Sequence, residues 1–202
     1  MRPLPRLIAV ADDETCQATD FPIWAAAVLS LGPIAGVLVQ TVAAPPEFTR
    51  KQLIRIRALA RPAEAATFAY GDPDLARATG VQGLVLPADG VAVTRARSVF
   101  GGPIGVMINS PGEAADAVRQ RCDFLLAARM PLAQATTLVR SGSPAAAGKW
   151  GGLIYVDGDG PRDQLLRARA EGAYGLVTSR SIWGAADPVE ATIALLADWE
   201  QS

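Results

Sequence analysis

The chain has 202 residues, of which 50% are hydrophobic, and its 19 basic and 20 acidic side chains give a formal net charge of −1. This near-neutral charge gives no electrostatic reason to expect a nucleic-acid partner, because binding to a phosphate backbone needs a concentrated basic surface. The sequence has no histidine, which excludes a Ser-His-Asp or Cys-His catalytic arrangement, a histidine-ligated metal site and an imidazole proton shuttle.

The apolar run nearest the N-terminus, Arg6–Ala11, meets acidic residues after only a few positions. It is too short for the hydrophobic region of a signal peptide or for a membrane span, and no other stretch approaches a span. We therefore expect a cytoplasmic protein with no membrane partner. Cys16 and Cys122 form no C-x-x-C pair, so we expect two reduced, partly buried thiols.

Eight short apolar runs recur along the chain, with amphipathic segments between them. The runs are Arg6–Ala11, Ile34–Gln40, Ala65–Tyr70, Gly83–Leu86, Pro103–Ile108, Asp123–Ala128, Gly152–Val156 and Tyr174–Thr178. They are continuously apolar, which is typical of strands that are buried on both faces. The amphipathic segments are Phe21–Leu31, Glu47–Ala60, Asp74–Thr79, Val91–Phe100, Pro111–Gln120, Pro161–Glu171 and Pro188–Trp199. Pro111, Pro161 and Pro188 stand where a first helical turn tolerates the missing N–H.

Eight strand–helix units in a chain of this length fit an α/β fold of the (β/α)₈ TIM-barrel type, as a single domain over residues 1–202. The rival is a doubly wound open sheet, which shares the alternation but usually has fewer strands. No G-x-G-x-x-G motif follows the first strand, so a Rossmann dinucleotide site is unsupported. The strand count favours the barrel.

One connection differs from the others, the segment Arg129–Lys149 between the sixth and seventh strands. It begins as a short predicted helix, Leu132–Val139, and ends in a loop rich in Gly, Ser and Ala. Two interpretations stay open: a lid or substrate loop, and a longer but inert connection.

Polar residues follow the predicted strands, at the face of a barrel where the βα loops converge. In chain order they are Asp12 and Asp13, Gln40, Asp72, Asp89, Asn109, Arg129, Asp157, and Ser179 with Arg180. A strand must end at something hydrophilic, so no single one of these residues indicates a site. The set does, because Gln40 directly ends an apolar strand and Asn109 follows another. We take Gln40, Asn109 and Arg129 as candidate substrate-binding residues.

The loops after the seventh and eighth predicted strands are candidates for a phosphate site. Barrels often hold phosphate on these two loops and on the N-terminus of a short helix, where free N–H groups point at the anion. The candidate phosphate-binding residues are Gly158, Gly160, Ser179, Arg180 and Ser181. Asp157 and Asp159 stand against this interpretation, because they would repel a phosphate unless they point outward or hold a cation. The alternative is a tight turn in which Asp and Gly merely satisfy the backbone geometry.

Asp72 and Asp89 are candidate metal ligands, since they end neighbouring predicted strands and could share Mg²⁺ with substrate phosphates. Two oxygen ligands are too few for a dedicated site, so occupancy would depend on the substrate. The alternative is that these aspartates cap helices.

Six segments spread over nearly the whole chain carry a family resemblance. They are LIAVADDE at 7–14, VLVQTVA at 37–43, YGDPDLARATGVQGLVLPADG at 70–90, PIGVMINSPGEAADAV at 103–118, CDFLLAARMP at 122–131 and GAYGLVTSRSI at 172–182. These segments resemble the thiamin phosphate synthase family, including its TenI-type thiazole tautomerase branch. The resemblance implies a (β/α)₈ fold and a transferase of thiamin biosynthesis that joins a hydroxymethylpyrimidine diphosphate to a thiazole phosphate. In that reaction Mg²⁺ and cationic side chains stabilise the departing pyrophosphate.

By this resemblance Gln40 matches the family glutamine that contacts the pyrimidine, and Asp72 matches a metal-binding aspartate. Asp89 matches the second such aspartate with the spacing shifted by one residue, and Ser179 or Ser181 falls in the phosphate-binding serine region. The resemblance thus implies a small phosphorylated ligand of the thiazole type at the C-terminal face of the barrel, with Mg²⁺ as a candidate cofactor.

Other positions depart from the family pattern. The family arginine and lysine after the second strand are Val42 and Ala44 here, and the family histidines are Val85 and Asn109. This predicts a depleted diphosphate site. The alternative function is a catalytically inactive relative that serves as a ligand-binding or structural module. Assembly into a homo-oligomer is a further hypothesis, with Trp183 or Trp199 as candidate interface residues.

Overall fold

The computed structural model describes residues 7–32, 34–128, 130–140 and 153–200. Eight parallel strands close into a barrel in sequence order, and the last strand pairs with the first. The strands are β1 (Leu7–Asp12), β2 (Ile34–Gln40), β3 (Ala66–Tyr70), β4 (Gly83–Pro87), β5 (Ile104–Met107), β6 (Phe124–Ala127), β7 (Leu153–Asp157) and β8 (Gly175–Thr178). The predicted (β/α)₈ barrel is confirmed, and each strand boundary lies within one residue of its prediction.

Helices connect the strands on the outside of the barrel. They are α1 (Asp13–Gln17), α2 (Phe21–Leu29), α3 (Pro46–Ala60), α4 (Pro73–Thr79), α5 (Val93–Arg97), α6 (Pro111–Arg119), α7 (Leu132–Arg140), α8 (Arg162–Ala170), α9 (Arg180–Trp183) and α10 (Pro188–Glu200), with a 3₁₀ turn at Arg61–Ala63. In the part of the chain that the structure describes, no helix is both long and apolar enough to cross a membrane.

Some helix predictions need correction. The sequence did not indicate α1, α9 or the 3₁₀ turn, because elements of three to five residues are too short to show a helical period. The helix predicted over Val91–Phe100 is the shorter α5. Pro161 precedes α8 instead of standing in its first turn, whereas Pro111 and Pro188 begin their helices as predicted.

The apolar strands divide their side chains between two cores. In β1, Ile8 and Val10 belong to a cluster inside the barrel, whereas Ala9 and Ala11 belong to the larger layer between strands and helices. Both faces of each strand are therefore buried, which is why the runs lack polar alternation.

Aromatic rings pack against one another inside the barrel. Phe68, Phe124, Tyr155 and Tyr174 form a continuous chain of edge-to-face contacts, with successive ring centroids 5.7, 6.2 and 5.4 Å apart. Gly105 on β5 leaves the space for Phe124, because a Cβ there would overlap the phenyl ring. Since the axis is packed with side chains, a ligand that enters the barrel can bind only at the mouth formed by the strand ends and their loops.

Both tryptophans proposed for an interface are buried: Trp183 is 9% exposed and Trp199 2%. They are core residues of the helical layer and not surface contacts. Cys16 and Cys122 are free thiols and are also buried.

Candidate active-site mouth of the barrel

Residues from six of the eight strands or their loops line a pocket of about 110 Å³ at the C-terminal end of the barrel. They are Val10, Gln40, Met107, Ala128, Asp157, Asp159, Val177, Thr178 and Ser179. The structure thus brings Gln40 together with the loops after β7 and β8, as the strand-end pattern predicts. We call this pocket the mouth pocket.

Gln40 ends β2 with its side chain only 8% exposed. Its Nε2 lies 3.7 Å from the thioether sulfur of Met107, which is a weak acceptor. Among the described residues this is the one hydrogen bond that the Gln40 side chain makes. Its amide group is therefore held at the pocket with hydrogen-bonding capacity to spare.

The Asp159 carboxylate accepts hydrogen bonds from the donors of the turn between β8 and α9. The backbone N–H of Ser181 donates to Asp159 Oδ1 at 2.7 Å, and the Thr178 hydroxyl makes a short hydrogen bond to the same oxygen. The backbone N–H groups of Ser179 and Arg180 donate to Oδ2 at 3.3 and 3.4 Å. Burial raises the pKa of the Asp159 carboxyl, but the hydrogen bonds from Thr178, Ser181 and Ser179 outweigh it, and the pKa lies below its ordinary value. Asp159 is therefore ionised at neutral pH.

Asp157 lies half-buried beside Asp159 and accepts the backbone N–H of Asp159 at 2.9 Å. Desolvation raises the pKa of the Asp157 carboxyl and the Asp159 charge adds to this, against smaller opposing effects of that hydrogen bond and of Arg180. The two neighbouring carboxylates thus have different environments: Asp159 is saturated with donors, whereas Asp157 is the less easily ionised group.

Gly158 and Ser181, both assigned to a phosphate, have hydrogen-bond partners within the chain. The Gly158 N–H donates to the carbonyl oxygen of Val177 at 2.9 Å, and Ser181 Oγ lies 3.3 Å from the carbonyl oxygen of Gly158. The Arg180 side chain is exposed, whereas Ser179 and Gly160 are half-buried. Three of the five predicted residues therefore converge: the backbone N–H groups of Ser179, Arg180 and Ser181 all donate to the Asp159 carboxylate.

Asn109 and Arg129 were the other candidate substrate ligands. The Asn109 backbone N–H and Nδ2 both donate to the Glu113 carboxylate, at 2.6 and 3.1 Å, at the start of α6. Asn109 is exposed and is not among the described residues that line the mouth pocket. Arg129 lies outside the described residues, as do 141–152, so the lid interpretation of Arg129–Lys149 falls there as well; the short helix predicted in that segment is present as α7.

The candidate metal ligands Asp72 and Asp89 lie in two different local environments. Asp72 caps α4, since its Oδ1 accepts the Leu75 N–H at 2.9 Å, and Asp89 is exposed in the turn after β4. The described residues hold no group of three acidic or cysteine side chains arranged to hold a metal ion. One helix-capping carboxylate and one exposed carboxylate do not fit a resident Mg²⁺ ion, which needs near-octahedral oxygen ligation.

A third carboxylate shapes the other side of the barrel end. Asp13 accepts the backbone N–H groups of Val42, Ala43 and Ala44, at 2.9, 3.1 and 3.1 Å. These hydrogen bonds, with that of Val42 the strongest, lower the pKa of the Asp13 carboxyl. The loop in which the family has arginine and lysine is thus tied to an acidic residue and carries apolar side chains.

Comparison with known proteins shows which family the chain belongs to. The family model described as thiamine monophosphate synthase matches residues 7–135, nearly two thirds of the 202-residue chain. The match ends before β7 and β8, whose loops carry Asp157, Asp159 and Ser179. No curated protein matches the sequence.

Solved structures share the fold at low identity. Thiamine phosphate pyrophosphorylase from Pyrococcus furiosus superposes with a TM-score of 0.80 at 19% identity, over 98% of this chain and 96% of that one. KGPDC from Streptococcus mutans gives 0.71 at 15% identity, over 98% and 99%. The 3-hexulose-6-phosphate synthase from Salmonella typhimurium gives 0.70 at 14%, over 97% and 99%. These likenesses support the barrel fold, and the family match over 7–135 shows that this chain belongs to the thiamine monophosphate synthase family.

Proposed function

We propose that this family member binds a small molecule at the mouth pocket and does not carry out the synthase reaction. The observation that carries the proposal is the Asp159 carboxylate, which takes up the donors that the sequence assigns to a ligand phosphate. It corresponds to the alternative function left open by the sequence, an inactive relative that retains ligand binding.

The charge of the mouth pocket supports this proposal. Expulsion of pyrophosphate from a diphosphate needs cations or metal at the leaving group, because several negative charges develop there. The described residues that line the pocket include two carboxylates, Asp157 and Asp159, and none of them is basic. A diphosphate would meet repulsion where the reaction requires attraction.

The loop after β2 adds to the argument. Val42 and Ala44 stand where the family has cations, and their N–H groups are already bonded to Asp13. A charge-assisted contact contributes about 1.5–3 kcal/mol, so the loss of two in the transition state corresponds to a rate lower by roughly two to four orders of magnitude.

A second candidate function is the one that the resemblance implies: a transferase-like protein that binds a phosphorylated thiazole-type ligand. The family match and the convergence of three backbone N–H groups on one anion favour it. For this function the ligand phosphate would have to displace Asp159. Mg²⁺ would have to arrive with the diphosphate, since Asp72 and Asp89 alone do not fit a resident ion.

The decisive experiment is a synthase assay with hydroxymethylpyrimidine diphosphate, thiazole phosphate and Mg²⁺. The Pyrococcus furiosus thiamine phosphate pyrophosphorylase serves as the positive control. We expect thiamin phosphate to form at least about a hundredfold more slowly than with the control. Turnover within about a hundredfold of the control would contradict the proposal and favour the second candidate.

Ligand binding is measured separately, by amide NMR titration with the unphosphorylated pyrimidine and thiazole alcohols. We expect shifts at Gln40 and Ser179 with at least one of them. A Gln40→Ala variant is the control for binding at the mouth pocket, and shifts that persist in it would place the ligand elsewhere.

A further inference from the structure

The donors around Asp159 form the kind of site that holds a ligand anion in barrels. Phosphate sites of this fold use the loops after the seventh and eighth strands and the start of a short helix. Here the Thr178 hydroxyl and the N–H groups of Ser179, Arg180 and Ser181 point to one position. That position is taken by a carboxylate of the protein itself.

Asp159 is not a local helix cap. The residue placed to cap α9 is Ser179, and its side chain makes no capping hydrogen bond. The carboxylate comes instead from the preceding βα loop, 20 positions away from Ser179 in sequence. Asp157 holds it in place by accepting the Asp159 N–H at 2.9 Å. Both carboxylate oxygens of Asp159 are engaged, so the site is filled and not merely bordered by an acid.

This arrangement decides which ligands fit. A phosphate at the same donors would have to displace Asp159 and would then lie beside two carboxylates. The negative charges of the two neighbouring carboxylates would oppose the binding of a phosphate strongly. We propose that Asp159 is a specificity-determining residue that replaces the ligand phosphate, so that the mouth pocket selects small, unphosphorylated molecules.

Two side chains at the pocket that keep further hydrogen-bonding capacity describe the ligand class. Gln40 presents an amide with spare hydrogen-bonding capacity, and Asp157 presents a half-buried carboxylate. The Gln40 amide both donates and accepts hydrogen bonds, whereas the Asp157 carboxylate accepts them, so a neutral or cationic molecule that carries N–H or O–H donors matches the pocket. This inference rests on the proposed function and names the ligand class for the same pocket.

The test uses inorganic phosphate as the probe and the chain of 202 residues. Asp159→Gly removes both the charge and the occupying side chain, whereas Asp159→Asn removes the charge but leaves the position filled. Amide NMR titration at constant ionic strength follows the Ser179, Arg180 and Ser181 resonances. We expect the wild type to show no saturable shift. Asp159→Gly should bind phosphate saturably, with a Kd about tenfold to a hundredfold below the highest phosphate concentration at which the wild type shows no saturation, because a like charge no longer opposes the anion. Asp159→Asn should fall between them.

Asp157→Asn is the matched control. It removes one negative charge from the same pocket but keeps the oxygen that accepts the Asp159 N–H. If it gained phosphate binding equal to that of Asp159→Gly, a general charge effect would explain the result and the proposal would fail. Saturable binding by the wild type, or no gain in either Asp159 variant, would also overturn it. Because Asp159→Asn preserves the shape of the loop, it keeps the test valid if Asp159→Gly folds poorly.

The synthase assay and this titration fail in different ways. Turnover by the wild type would refute the proposed function, and with it the exclusion of phosphorylated ligands. Saturable phosphate binding by a wild type that shows no turnover would refute the role of Asp159 alone, so the two results distinguish a wrong function from a wrong role for Asp159.

Discussion

Asp157 Oδ1 accepts the backbone N–H of Asp159 at 2.9 Å, and the two carboxyls held side by side by this bond have pKa values displaced in opposite directions. The pKa of Asp157 is raised chiefly by burial. The pKa of Asp159 is lowered because the effect of its hydrogen bonds outweighs that of burial. The pair therefore makes opposite contributions to the pH dependence of folding.

The first prediction concerns this pair. Asp159 stabilises the fold above the ordinary aspartate value of 3.8, and its contribution is lost as the pH falls through the lowered pKa. Asp157 works the other way: its folded state favours the protonated form, so stability decreases as the pH rises through the raised pKa. Asp157→Asn should therefore raise the free energy of unfolding at pH 7, by less than about 1 kcal/mol because the group is partly exposed.

Urea denaturation at pH 7 and at pH 3 measures this effect. The gain should disappear at the lower pH, where Asp157 is protonated in both states. An equal gain at both values would show that the charge is not the cause. Carbon NMR titration of the two carboxyls should give a higher pKa for Asp157 than for Asp159.

A second prediction concerns the loop after β2. Asp13→Ala removes the acceptor of three backbone N–H groups, so the amides of Val42, Ala43 and Ala44 should exchange with solvent faster. The loss in unfolding free energy should be about 1 kcal/mol or less, because Asp13 is partly exposed and solvent screens its charge. Asp13→Asn, which keeps one acceptor oxygen, should lie between. Unchanged exchange in Asp13→Ala would contradict the role given to this carboxylate.

A third prediction tests the packing of the barrel axis. Gly105→Ala places a methyl group against the Phe124 ring, which must shift within a filled interior. We expect a loss of about 1–3 kcal/mol in urea denaturation. Gly101→Ala is the control, because a Cβ at Gly101 meets no atom within 4 Å. Equal stability of the two variants would show that the aromatic chain is loosely packed.

A fourth prediction concerns the thiols. Burial raises the pKa of Cys16 and of Cys122 to about 12, and neighbouring aspartates add to the effect. Since the thiolate is the reactive form, both should react slowly with a disulfide reagent at pH 8 in the folded protein. Both should react rapidly in urea. Fast modification of either one without denaturant would mean that it is accessible and ionised in the native state.

The barrel could be predicted because its signal is repeated along the chain. Each strand buries both faces, as Ile8 and Ala9 do on opposite sides of β1, so eight continuous apolar runs were visible without any tertiary information. The helices α1 and α9 could not be recognised, since five and four residues contain too little of a helical period.

The candidate site was predictable only in part. The sequence shows that Gln40 ends a strand, and the barrel then carries it to the mouth pocket. The sequence also indicated that Asp157 and Asp159 would repel a phosphate. It did not indicate which way their side chains point. The direction of Asp159 depends on donors at Thr178 and Ser181, which come close only when β7 and β8 pair. The alternating acids and glycines of the β7 loop were the one signal that could have suggested it.

Asp72 and Asn109 illustrate the same limit. Both follow strands, as ligands in barrels do, yet Asp72 bonds to Leu75 and Asn109 to Glu113 within their own helical starts. A polar residue at a strand end can serve the next helix or a ligand, and only the three-dimensional contacts distinguish the two uses.

Because Asp159 is covalently tethered to the donors it binds, it competes with free anions at an effective concentration of about millimolar or higher. A dissolved phosphate must exceed that concentration, or bring additional contacts, before it gains the same N–H groups. The β8–α9 turn is consequently organised before any ligand arrives, and its order does not depend on the supply of a metabolite.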